Sequence, residues 1–378
     1  MLRQLDQAID QALADKRIVG TVVTVVRDGE TFYRRAAGFA DREAAKPMRE
    51  DSLFRLSSIS KPYVTAAAMQ LVERGAMSID DPVTRWLPDF RPQLADGARP
   101  IITIRQLLTH TSGLGYTLTE KPGGEYHRLR VASGLGGDKV TLTENMRRLG
   151  QTTLLAKPGT QWIYSMSTDV LGAVIAAVTG ESLPAAVDRN LLRPLGLHDT
   201  AFHAKDPTRL AVAYGDGKPE PVRMADGHEL KVPPEGVATY HPSHALDPDG
   251  YPSGGGGMVG TSGDFVRFLE AVRSGGAPIL KADTVATMMM DQVGPQAMSQ
   301  GPGWGFGYGW AVLDDSEAAA TPQAKGTIKW GGAYGHNWWI DSTNRLTVVA
   351  LTNTAFEGMW GRYTIDVRDA IYAELPPK

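Results

Sequence analysis

Apolar residues recur at helical spacing at the start of the chain. Leu2, Leu5, Ile9, Ala12 and Leu13 share one side of MLRQLDQAIDQALA, which predicts an amphipathic helix lying on a core. The pattern then changes. TVVTVV at 21–26 is a short β-branched run, Asp28-Gly29 is a turn pair, and TFYRRAAG resumes strand character, so a hairpin is predicted. From Pro62 to about Arg74 the period is helical again, with Val64, Ala67, Ala68, Leu71 and Val72 on one stripe and Gly75 as the stop. TIRQLLTHTSGLG predicts a short helix stopped by Gly113, and TDVLGAVIAAVTG (168–180) an apolar helix stopped by Gly180.

Between residues 202 and 257 repeated Pro, Gly and Asp break every period, which predicts a long loop region with at most short strands. Loops of that length inside compact domains tend to be functional. DFVRFLEAVRSGG resumes helix. GFGYGWAVLDD, GTIKWGG, NWWIDS and RLTVVALTNT are four candidate strands, and RYTIDVRDAIYAEL closes the chain as a helix with Ile365, Val367, Ala370 and Ile371 toward one side. Strands at both ends with helices and loops between predict an α/β (α+β) architecture. One sheet is assembled from the two termini, around a mostly helical insertion. The expected division is residues 1–60 with 301–378 as the sheet domain and 61–300 as the helical domain, with the active site at their interface.

Composition narrows the function classes. The formal charge of −3 and the absence of basic runs argue against nucleic acid or an anionic membrane as partner. Cysteine is absent, which removes disulfides, thiolate nucleophiles and cysteine-bound metals together. The start has no unbroken apolar stretch of the signal-peptide kind, and no apolar run approaches the ~18 residues of a membrane span. A cytoplasmic protein is expected. None of the eight histidines pair as His-x-x-x-His, and His241 and His244 lie in the Pro-rich loop, so no metal is expected.

The candidate chemistry sits in RLSSISKP (55–62), where Ser57, Ser58 and Ser60 precede Lys61. A serine hydroxyl is a poor nucleophile unless a neighbour takes its proton. Residues three or four apart share a face of a helical turn, so Ser60 is the wrong partner for Lys61, while Ser58 and Ser57 both stay open on geometry. The start of a helix adds partial positive charge that favours an oxyanion. Serines there also serve as plain helix caps. This Ser-x-x-Lys occurs once in the chain, and Gly-x-Ser-x-Gly is absent.

FRLSSISKP, LLTHTSGLG, YSMSTDVLG, PSGGGGMVGTSGDFVRFLEA, GPGWGFGYGWAVLDD and KWGGAYGHNWWID, in this order along nearly the whole chain, resemble the blocks of the serine β-lactamase and penicillin-binding-protein superfamily. They are most similar to its family VIII carboxylesterases. The resemblance implies a β-lactamase-like fold, an antiparallel sheet flanked by helices. It makes Ser58 the nucleophile, Lys61 and Tyr164 its proton-transfer partners, and the backbone N–H groups of Ser58 and Ala333 the oxyanion donors. A phenol near ~10 and an ammonium near ~10.4 are poor bases alone; a lysine cation held against a tyrosine favours the phenolate, which can accept a serine proton. Which of the two is the base stays open, since a coupled pair titrates as a unit. No cofactor is implied, and the expected partner is a small-molecule ester. Tyr126 and Asp169 match positions near the family's active site, Asp169 either anchoring Tyr164 or capping its helix, and His336, which follows the oxyanion strand, is a further candidate substrate-binding residue. His110 is expected to make a structural hydrogen bond.

Two departures from the β-lactamase pattern bear on substrate. Trp330-Gly331-Gly332 stands where those enzymes carry Lys-Thr-Gly, which removes a cation for a lactam carboxylate. Met166 stands where Tyr-x-Asn has its amide. A site without those partners favours uncharged, short-chain acyl esters. The competing expectations are a β-lactamase, a D-amino-acid peptidase or an acyltransferase of the same superfamily. Trp304, Trp310, Trp338 and Trp339 are expected in the core ahead of an acyl pocket.

Overall fold

A computed structural model of the protein describes residues 2–137 and 139–375. The chain opens with helix α1 (Arg3–Ala14), strands β1 (Gly20–Arg27), β2 (Glu30–Asp41), β3 (Lys46–Pro47) and β4 (Phe54–Arg55), and a 3-10 turn at Ser57–Ser60. Helices α2 (Lys61–Glu73), α3 (Ile104–Leu108), α4 (Glu125–Arg128), α5 (Leu142–Leu149), α6 (Ser167–Thr179) and α7 (Leu183–Val187) follow. The Pro- and Gly-rich region holds the short strands β5 (Tyr214–Gly215), β6 (Val222–Arg223), β7 (His228–Val232) and β8 (Gly236–Tyr240). Then come β9 (Val259–Gly260), α8 (Ser262–Arg273) and α9 (Ala282–Met289). The chain ends with β10 (Trp304–Phe306), β11 (Ala311–Leu313), β12 (Ile328–Gly332), β13 (His336–Asp341), β14 (Leu346–Thr352), α10 (Ala355–Met359) and α11 (Arg362–Ala373).

Both termini build one antiparallel sheet of eight strands, ordered β10-β11-β12-β13-β14-β1-β2-β3. β1 lies between β14 and β2, with Val22 opposite Leu351 and Val25 opposite Val348. The hairpin forms where the turn chemistry predicts it: Asp28 and Gly29 both take left-handed φ, 56° and 85°, matching the twist of the strands they join. TVVTVV does not alternate because both faces of β1 are covered. On one face Val23, Val25, Trp339 and Val348 meet Leu5, Ile9 and Ala12 of α1 and Tyr363, Val367 and Ile371 of α11. On the other, α8 lies against the sheet, with Phe265 edge-on to Trp338 at 5.7 Å and Thr24 Oγ1 bonded to Ser262 Oγ at 3.0 Å. α2 and α6 sit deeper in the same large core.

Several local expectations are corrected. α2 is buried on every side from Lys61 to Leu71, so its apolar stripe is only part of its contact surface. α3 stops at Leu108, well before Gly113, because His110 turns left-handed at φ 54°. GFGYGWAVLDD makes two strands, β10 and β11, rather than one. In α11 Ile365 is 41% exposed and Tyr363 takes the inward place. α8 packs on the sheet although it lies inside the 61–300 segment. Among the described residues no single helix is long and apolar enough to cross a membrane.

Candidate active site

The three serines of RLSSISKP separate by their partners. β4 pairs with β9, and the chain then enters the 3-10 turn through Ser57 at φ 44°, a strained value for a non-glycine residue. Ser57 Oγ accepts the Tyr334 N–H at 3.2 Å, and Ser60 Oγ accepts the Met258 N–H at 3.1 Å. Ser58 alone faces Lys61 and Tyr164. The Tyr164 hydroxyl donates to Ser58 Oγ at 2.7 Å, and Lys61 Nζ donates to it at 3.4 Å.

Lys61 is almost wholly buried. Its Nζ also donates to the Gly255 carbonyl at 2.7 Å, and lies 4.7 Å from the ring centroid of Tyr164 and 5.4 Å from that of Tyr116. Among the described residues no carboxylate comes within ion-pair distance of it. Two ring faces and a carbonyl therefore take the place of a counter-ion. Tyr116 stacks on Tyr164 at 5.3 Å with planes 21° apart, and Trp330 lies 5.3 Å from the same ring, so the phenol is clamped.

Asp169 does not touch Tyr164's hydroxyl or line the cavity. Its Oδ1 accepts bonds from Tyr251 at 2.8 Å and Ser253 at 2.7 Å, and Gly255 stands between it and Lys61. Burial pushes its carboxyl up; the Ser253 hydroxyl, the Lys61 charge and Tyr251 pull it down. His110 is structural. Its Nδ1 accepts the Ser165 N–H at 3.2 Å and therefore also takes the Ser165 hydroxyl at 3.0 Å. Burial and the Lys61 charge hold it well below the usual histidine range, so it stays neutral.

The end of β12 approaches the serine turn from the sheet. A Cβ at Gly332 would stand 2.7 Å from Leu56 O and 2.8 Å from Ser57 Oγ, so glycine is required for that approach. The turn beyond it closes through the Gly335 N–H on Gly332 O, with Gly335 at φ 112°. Ser58, Tyr164, Trp330, Gly331 and Ala333 open into a cavity of about 270 Å³, whose remaining wall includes Leu118, Trp162, Val232, Phe356, Met359 and Trp360. No lining side chain carries a charge. A larger open cleft, about 1130 Å³, lies among residues 139–142, 182–205 and 247–252 and contains none of Ser58, Lys61 and Tyr164.

Besides Asp169, three more expected pocket residues stand outside the cavity wall: Gly332, set against the serine turn, and Tyr126 and His336. The Tyr126 hydroxyl accepts the Gly115 N–H at 2.7 Å and is buried as a brace for that loop. His336 is buried, its Nε2–H donating to Arg55 O at 2.7 Å, and desolvation lowers its pKa to about 4. Trp304, Trp310, Trp338 and Trp339 are core residues. Tyr116, Trp162 and the α10 residues had no motif to signal them, and Gly255 lay within the PSGGGG block with no role assigned to it. Among the described residues no group of three His, Asp or Glu side chains is placed to hold a metal ion.

A model of the Beta-lactamase family matches residues 5–370. The chain belongs to the Beta-lactamase family. Within this family it is 53% identical over 373 residues to Esterase EstB of Burkholderia gladioli, covering 98% of this chain and 95% of that one. A solved structure described as EstCE1, a hydrolase with promiscuous acyltransferase activity, superposes with a TM-score of 0.96 at 49% identity over 98% of both chains. Acyltransferase calJ of Penicillium decumbens is 28% identical, covering 86% of this chain and 82% of that one. The β-lactamase-like fold, a large antiparallel sheet with helices, is shared with these neighbours.

Proposed function

We propose that the protein is a serine carboxylesterase that hydrolyses small, uncharged acyl esters through an acyl-enzyme on Ser58. The observation that carries this reading is the contact of one hydroxyl with both a phenol and a buried ammonium, Tyr164 at 2.7 Å and Lys61 at 3.4 Å. The relatives named esterase and hydrolase support it.

After Tyr164 has passed its own proton to solvent, its phenolate beside the Lys61 ammonium takes the serine proton as Oγ bonds to the ester carbonyl carbon. The N–H groups of Ser58 and Ala333 hold the oxyanion, each worth a factor of about 10²–10³. Tyr164 returns the proton to the leaving alkoxide as the C–O bond breaks. Water then attacks the acyl-enzyme, its proton passing to the same phenolate and on to Ser58 Oγ as the acyl C–Oγ bond breaks, which frees the Ser58 hydroxyl and a carboxylic acid. Trp330, Gly331 and Ala333 form the sheet-side wall, and the uncharged lining disfavours substrates that bring a carboxylate. The sheet unit and the helical unit meet at this site, and a cytoplasmic location goes with the reading.

Transfer of the acyl group to an alcohol is a second reading, favoured by the uncharged, aromatic-lined cavity and by the names of two relatives. Turnover of p-nitrophenyl butyrate against nitrocefin tests the substrate class, and a preference for the lactam overturns it. Ser58→Ala is expected to abolish turnover, with a fluorophosphonate label mapping to the peptide that contains Ser58. An added alcohol acceptor that yields an ester product identifies transfer.

A further inference from the structure

Part of the cavity wall belongs to α10 and the residue after it. Trp360 is 52% exposed, the one tryptophan among the exposed large apolar side chains of the described residues, and its ring stacks on Phe356 at 4.3 Å with planes 25° apart. An aromatic ring left in water gains little for folding, yet the segment that carries it is fixed at several points. The Asp216 carboxylate accepts the N–H groups of Phe356 and Glu357, both at 2.7 Å. Glu357 pairs with Arg17 at 2.8 Å and accepts the Tyr363 N–H at 2.9 Å. The N–H groups of Trp360 and Gly361 both reach Phe356 O at 2.9 Å.

The same segment is keyed to the catalytic sheet edge. Met359 O accepts Asn337 Nδ2 at 3.1 Å, and the Met359 side chain occupies the space that Gly331 leaves, where a Cβ would stand 2.9 Å from Cγ. An aromatic pair on immobilised backbone, Trp360 exposed and Phe356 half-buried, opening into the cavity that holds Ser58, is preorganised for a flat apolar partner. The cavity lies just below the ~300–1,000 Å³ range of small-molecule sites, room for an aromatic ring together with a small acyl or alcohol group.

We propose that the Phe356–Trp360 stack is a specificity wall that selects esters bearing one uncharged aromatic ring; this rests on the esterase reading above. The ring arrives on either the acyl or the alcohol side of the ester, since both present the same flat face. Trp360 acts by binding, apart from the proton transfers at Ser58.

The test is kcat/KM for two matched pairs: methyl phenylacetate against methyl butyrate, and benzyl acetate against butyl acetate. Wild type, W360A, W360L and W360F are compared. In at least one pair the preference for the ring ester falls about five- to tenfold in both W360A and W360L, mainly through KM, and W360F restores it. The pair that responds identifies the side on which the ring binds. Ratios that stay at wild-type values in both pairs, or W360L matching wild type, overturn the proposal. Folded wild type that turns over none of the four esters brings down the esterase reading and this proposal with it.

Discussion

Gly255→Ala probes how Lys61 is held. A Cβ at this position would stand 2.4 Å from Asp169 Oδ2 and 3.3 Å from Lys61 Nζ. Neither neighbour yields easily: Tyr251 and Ser253 fix the Asp169 carboxylate, and the Gly255 carbonyl itself fixes the ammonium. Relief requires movement of about 1 Å in the glycine backbone or the carboxylate, an overpacking that typically costs about 1–3 kcal/mol. Because the lysine hangs on the carbonyl of the residue that moves, its 3.4 Å contact with Ser58 shifts too. A misplacement of that size costs about 10² in rate. The expected variant is folded, melts a few °C lower and loses about 10²-fold in kcat on p-nitrophenyl butyrate, with a matching fall in the rate of fluorophosphonate labelling. Gly256→Ala is the control, since its nearest neighbour is Gly134 O at 3.2 Å, away from the lysine. A G255A enzyme that melts lower but keeps wild-type kcat and labelling rate refutes the claim that this carbonyl positions Lys61.

Tyr164→Phe removes the hydroxyl 2.7 Å from Ser58 while Tyr116 and Trp330 still clamp the ring, so kcat falls by about 10²–10⁴ with little change in KM; a kcat within tenfold of wild type contradicts the proton-transfer role. His336 is held near pKa 4 by burial, against about 6.5 unfolded, so its contribution is intact above pH ~6.5 and is lost as pH falls toward ~4, by about 3 kcal/mol. Urea unfolding of His336→Gln, which keeps a donor for Arg55 O, shows a shallower decline over that range; parallel profiles for wild type and variant count against it. Asp314 is raised to about 6 by burial and by its neighbour Asp291, so the native state holds that proton more tightly than the unfolded chain and stability falls as pH rises from about 4 to 6. Asp314→Asn removes the carboxylate repulsion, and its melting-temperature advantage over wild type grows between about pH 4 and 6 and levels off above; an advantage that is constant with pH shows that the two carboxyls do not interact.

The elements read well from the sequence are those whose signals are local. Asp28-Gly29 supplies the two left-handed residues of a tight hairpin, and Gly180 ends α6 at φ 67°. Where the outcome depends on distant packing, the pattern misleads. α2 carries an apolar stripe but is covered all round, because α6 and the sheet-side helices close over faces that small alanines leave open to contact. Ile365 has the right spacing to be inward, yet Tyr363 takes that place with its hydroxyl bonded to Thr21 at 2.9 Å across the sheet. The stop of α3 is set by a left-handed histidine whose ring is needed against Ser165, a requirement no helix-breaker signal announces.

The same division separates chemistry from specificity. Ser58 and Lys61 meet because they stand on one turn, so spacing alone narrows the nucleophile to two serines. The choice between those two is made by Tyr334, far along the chain: by engaging Ser57 Oγ it turns that hydroxyl away from the lysine and ties the serine turn to the residue beyond Ala333. The bond thus links the segments of both proposed oxyanion donors and holds Ser57 at its strained φ beside the proposed nucleophile. The substrate wall has no such local partner. Residues 118, 162, 232, 330 and 356–360 converge on one cavity only through the sheet's return from the C-terminal end of the chain, and the anchor of its outermost part, Asp216, lies in a loop whose composition shows only that it is not helical. In this fold the inner wall is tied to the proton-transfer groups through Trp330, which lines the cavity and packs on Tyr164, whereas the outer wall at Phe356 and Trp360 is joined to the serine turn through β12, so it is the outer wall that can change while the turn is kept.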